Sequence, residues 1–168
     1  MASDLPALWK AVRDRVNADT GSGGLLNVTT PLIVAIYNTR PPEPSDSSTV
    51  FPYIVYSVFE SENTSTFRTR AWKRRVRFDT FVEVEPNSTL DVLQRGSDIL
   101  RRLEGDWEDQ VAGTAPTFGF DRFQPTLTGS GWSADIFELV DSGEDHSIGD
   151  RLYTWSMTFD ITTSKAGA

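Results

Sequence analysis

The one histidine of the chain, His146, lies in DSGEDHSIGD, among Asp141, Glu144, Asp145 and Asp150. An imidazole beside carboxylates has the groups to ligate a metal or to act as a general base. The spacing argues against both. A calcium loop of the EF-hand type needs alternating oxygen ligands, a glycine at its sixth position and a glutamate at its twelfth. Counted from Asp141, Gly143 is third and the twelfth residue is Leu152, so a solvated loop is the simpler reading. The glycine run at 21–24 follows a helical pattern rather than a strand and lacks the Gly-Lys-Ser/Thr of a phosphate loop, so it reads as a connector. Glu83 and Glu85 are two apart on a strand pattern and would share a face, but an acid pair at a solvated edge needs no chemistry. With no cysteine and no G-x-S-x-G elbow, no nucleophile has an evident activator. The sequence therefore nominates no catalytic, cofactor-binding or metal-binding residue, and the expectation is a protein that is not an enzyme.

A second constellation is electrostatic. Arg68, Arg70, Lys73, Arg74, Arg75 and Arg77 fall within one ten-residue window that contains no acid. The chain as a whole carries a formal charge of −8, which argues against a general nucleic-acid binder. Trp72 and the surrounding cations could stack on bases and hold phosphates, but aromatic residues are not interleaved along the run. A charge-complementary protein contact suits the asymmetry better. The expected contact residues are Arg68, Arg70, Lys73, Arg74 and Arg75 on one flank, and Glu83, Glu85 and Asp109 on the other. The alternative is an ordinary solvated strand face.

The elements that would position these groups are legible in outline. The 168 residues suit one domain. The N-terminus, MASDLPALWKAVRDRV, is amphipathic and charged, without the apolar core of a signal peptide. No run approaches a membrane span, so a soluble chain without membrane contact is expected. Leu5, Leu8, Trp9, Val12 and Val16 form one helical stripe, with Ser3 as cap and Pro6 in the first turn. Residues 31–37 read as a buried strand. The Pro-rich segment 39–52 reads as a mobile loop. Residues 53–59 read as a central apolar strand, and 72–85 as an alternating strand paired with it in a hairpin. A helix follows Pro86 with Val92, Leu93, Gly96, Ile99, Leu100 and Leu103 on its apolar face, ending at Gly105. The last third suggests strands at 117–128, 132–140 and 151–162, a polar loop at 141–150, and a frayed tail from Ser164. The order is α-β-β-β-α-β-β-β. The expected fold class is α+β: a mainly antiparallel sheet with two amphipathic helices packed on one face.

Four stretches in order carry a resemblance: VFPYIVYSVFES, RAWKRRVRFDTFVE, LDVLQRGSDILRRLEG and RLYTWSMTFDI. From Tyr37 onward the chain resembles the phage tail-terminator (tail-completion) family. In that family a Pro-Tyr-Ile/Val-Val-Tyr strand follows a Pro-rich loop, a basic then alternating strand comes next, then a Leu-rich helix, and an aromatic strand closes the chain. Between Asp106 and Ser130 this sequence is longer and less regular than that pattern. The resemblance implies a virion protein assembled in the host cytoplasm. It implies a homo-oligomeric ring, usually a hexamer, that docks on the last layer of tail-tube protein, halts tube growth and offers its other face to the head-tail connector protein. DNA would pass through the lumen without specific binding, helped by the negative charge of the subunits. Other phage assembly parts (a connector or a tube subunit) and a small binding or catalytic domain are the alternatives.

Overall fold

The alternating run that ends at Glu83 builds the longest ladder of the molecule. The computed structural model describes residues 3–39, 51–83, 89–105, 118–145 and 152–166. In chain order these form α1 (Leu5–Asn17), β1 (Ala35–Asn38), β2 (Tyr53–Asn63), β3 (Thr69–Glu83), α2 (Thr89–Glu104), β4 (Ser133–Ala134), β5 (Glu138–Asp145) and β6 (Leu152–Ala166). β3 pairs antiparallel with β2 on one side and with β6 on the other, the latter from Thr69↔Ala166 to Glu83↔Leu152. β1 adds to β2 in parallel, Ala35↔Tyr53 to Asn38↔Tyr56. The class is α+β, and the sheet is mixed and strongly curled.

Strand parity decides what is buried. Val76, Phe78, Thr80 and Val82 of β3 share a face with Ile54, Tyr56 and Val58 of β2 and with Trp155, Met157, Phe159 and Ile161 of β6, and all of them are buried. α1 lays Leu8, Val12 and Val16 into the same core, and the Tyr56 hydroxyl reaches the carbonyl of Trp9. α2 contributes Val92, Ile99 and Leu103, with Gly96 directly against the Trp155 indole. The carboxylate of Asp19, just past α1, takes a two-pronged bond from Arg102 near the end of α2, tying the two helices together.

Residues 118–137 fill the rest of the core. The expected strand at 117–128 is absent from its described part, 118–128. Gly119 has φ +100° and Arg122 φ +63°, so the backbone turns instead of extending. Phe120 is nevertheless fully buried, in ring contact with Phe78, Phe118, Phe123, Phe137 and Phe159. The N–H groups of Phe120 and Asp121 bond the last carbonyls of α2, Leu103 and Glu104, which would otherwise lack partners. That approach brings Gly119 against Gly105, where a Cβ would meet backbone at 2.4 Å.

Four other expectations change. Asp4, not Ser3, occupies the N-cap position of α1, and the Ser3 hydroxyl accepts from the Leu5 N–H. The strand expected at 132–140 is broken: β4 and β5 both pair with β6, and the chain leaves the ladder at residues 135–137 to bury Phe137. Residues 141–145, expected in a loop, belong to β5, with a register shift between Leu139 and Asp141. Ser164, Lys165 and Ala166 are not frayed but are paired with Ala71, Arg70 and Thr69. The proposed mobile loop lies mostly outside the described residues, as do His146, Glu85 and Asp109.

Candidate interaction surface

The basic run sits on β3, and alternation splits it between the two faces of the sheet. Arg74 has the parity of Val76 and points inward. Its Nε and Nη2 bond both carboxylate oxygens of Asp4 at 2.9 and 2.5 Å, and the Thr163 hydroxyl donates to the same carboxylate at 2.5 Å. The guanidinium also lies 5.2 Å from the centre of the Trp72 ring. Burial by itself would raise the Asp4 carboxyl, but the bonds from Arg74 and Thr163 and the charge of Arg74 outweigh it and hold the group below the ordinary range. Arg74 is thus an interior residue joining the start of α1 to the middle of the sheet. The stacking partner of Trp72 is this arginine.

Lys73, Arg75 and Arg77 point to the opposite face. Arg75 grips Asp160 through Nε and Nη2 at 2.8 and 3.1 Å, and Lys73 reaches the same carboxylate at 3.2 Å. The bond from Arg75 is the main reason the Asp160 carboxyl lies below its usual range, against an opposing effect of burial. Arg77 bonds Asp79 at 2.8 Å and Ser156 at 3.1 Å, and Ser156 donates back to Asp79 at 2.6 Å. The middle of the run is therefore a ladder of ion pairs across β3 and β6. Farther along this face Tyr53 lies under Tyr37, Phe51 and Phe81 and is buried.

Two exposed features flank this ladder, one at each end of β3. At the β2–β3 turn, Ser65 and Thr66 fix the bend: the Ser65 hydroxyl bonds the N–H and the carbonyl of Ala71, and Thr66 Oγ1 accepts from the Thr69 N–H. This fixed turn holds Phe67 fully exposed beside exposed Arg68. At the far end a cleft of about 330 Å³ opens between the start of β2, the end of β3 and the first turns of α2. Phe51, Pro52, Val82 and Val92 supply the apolar part of its lining, and Glu83, Asp91 and Arg95 the charged part.

Of the residues expected to make contacts, Arg68 and Glu83 are exposed at opposite ends of one strand. Arg70 is exposed near the turn, Lys73 and Arg75 are engaged with Asp160, and Arg74 is inside. Phe67 was the residue sequence reasoning passed over. Its signal was a lone large apolar residue in a polar turn, SENTSTFRTR. Among the described residues no cluster of His, Asp and Glu is arranged to hold a metal, and no helix is long and apolar enough to cross a membrane. No protein-family profile matches the chain, and no curated protein sequence matches it.

Proposed function

We propose that this chain is a tail-terminator protein: a virion structural subunit that closes into a ring, usually of six copies, at the head-proximal end of a phage tail tube. The observation that carries the reading is the separation of unlike surfaces along β3, with exposed Arg68 beside Phe67 at one end and Glu83 with Asp91 at the other. A closed ring of identical subunits uses heterologous contacts, and those require two different, mutually complementary surfaces on each copy. The four stretches that resemble the family supply the second support, because they fall on β2, β3, α2 and β6. On this reading the chain performs no bond-making step and needs no cofactor. The ring caps the tail-tube protein, meets the head-tail connector protein, and passes DNA through a lumen whose negative charge keeps phosphate from adhering.

The test is an electron micrograph of tails assembled without this protein. Overlong tubes lacking heads are expected. Tubes of normal length joined to heads would refute the reading, and open-ended tubes formed by the purified chain alone would make it a tube subunit instead.

A further inference from the structure

The two ends of β3 fit each other as well as differing. Phe67 stands out from a turn whose side-chain bonds fix its shape, and none of the described residues covers its ring. Arg68 beside it makes no hydrogen bond or ion pair with the described residues. The cleft at the other end offers an aromatic ring apolar contacts from Phe51, Pro52, Val82 and Val92. It has two carboxylates, Glu83 and Asp91, within the same opening, and the Arg95 guanidinium to lie over an aromatic face. Neither acid has an ion-pair partner among the described residues. A single copy cannot join its own two ends. β3 is 15 residues long, and at ~3.3 Å per residue its ends are on the order of 45 Å apart.

We propose that Phe67 of one copy seats in the Pro52–Val82–Val92 cleft of the next, with its Arg68 paired to Glu83 and Asp91 and its ring beneath Arg95. The proposal rests on the ring reading and names the contact that would close it. The contact is head to tail by construction, since the donor and acceptor surfaces lie at opposite ends of one strand. Each copy gives one tip and receives one, which is the pattern a closed circle requires.

Mass photometry and sedimentation of the full chain, alone and with tail tubes, test it. Because Phe67 is fully exposed, Phe67→Ala should keep the far-ultraviolet circular dichroism of the parent. It should weaken self-association at least tenfold. Glu83→Arg with Asp91→Arg should do the same from the other side. An equimolar mixture of the tip variant and the cleft variant retains one intact contact per pair and should stop at dimers. Arg68→Glu placed on the Glu83→Arg background should recover part of the lost association. The chain has no cysteine, so Arg68→Cys with Asp91→Cys, treated with a short bis-maleimide, should give a ladder of covalent oligomers, whereas either single thiol should stop at dimers. Unchanged rings from Phe67→Ala, or a double-thiol variant that also stops at dimers, would overturn this contact and leave the ring reading standing. If Phe67→Ala rings form normally but no longer dock on tubes, the tip belongs to the tube interface and the proposal is likewise wrong. If the parent chain stays monomeric alone and on tubes, both readings fall together.

Discussion

The Asp4–Arg74–Thr163 triad is the feature at residue scale with the largest consequence. An arginine at an apolar parity position would be costly without a partner, and here a carboxylate and a hydroxyl satisfy it. Asp4→Ala leaves the guanidinium buried and unmatched, so a loss of about 3–5 kcal/mol is expected from urea unfolding. Replacing both partners, Asp4→Leu with Arg74→Met, should recover most of that loss. A single variant that costs under ~1 kcal/mol would show that water already solvates the pair. Asp4 and Asp160 also make the fold sensitive to acid. Both carboxyls are held below their ordinary values, so their contribution is complete above the unfolded-state pKa of about 3.9 and disappears as pH falls through the lower folded values. The urea midpoint should therefore drop as pH falls below about 4, and Asp160→Asn should flatten that drop. A midpoint that does not move between neutral and acid pH would rule out these two groups as the acid-sensitive ones.

At the scale of elements, α2 depends on a residue with no side chain. A Cβ at position 96 would stand 2.5 Å from the Trp155 indole, which is itself fully buried and has nowhere to go. Gly96→Ala gains ~1 kcal/mol of helix propensity but incurs an overpacking cost of about 1–3 kcal/mol. A net loss of thermal stability is expected, and a gain would mean that α2 slides on β6. How much of this architecture the sequence discloses follows from where apolar periodicity exists. α1, β2, β3, α2 and β6 were legible because each buries one stripe or one face, and period therefore predicts parity. Residues 118–137 were not, because Phe118, Phe120 and Phe137 enter the core, and half-buried Phe123 packs against it, from irregular backbone, and positive φ at Gly119 and Arg122 leaves no period to read. β5 was hidden for a different reason: its exposed polar residues, Asp141 and Ser142 among them, look like a loop. Arg74 was misassigned because residue type was weighed above parity; two residues before Val76 and four before Phe78, it had the inward phase. Phe67 required knowing that the turn is fixed, and that comes from Ser65 and Thr66 side-chain bonds.

For the whole molecule, the acidic balance and the proposed assembly lead to one further expectation. If the Arg68 contact with Glu83 and Asp91 contributes to association, added salt should weaken assembly as the screening length falls to ~3 Å near 1 M. The loss should be partial, because the Phe67 seat is apolar, and a salt-independent oligomer would remove the charge contribution. The remaining consequence concerns the outer rim of the sheet. Beyond β6 the ladder is interrupted at residues 135–137 and shifts register between Leu139 and Asp141, and this side carries the exposed acids Glu138 and Asp141. Two molecules that tried to zip together there, main chain to main chain, would find a broken template and bring anion against anion. Such a border discourages fibrils and symmetric twins along this edge, and it favours recruitment through side chains there.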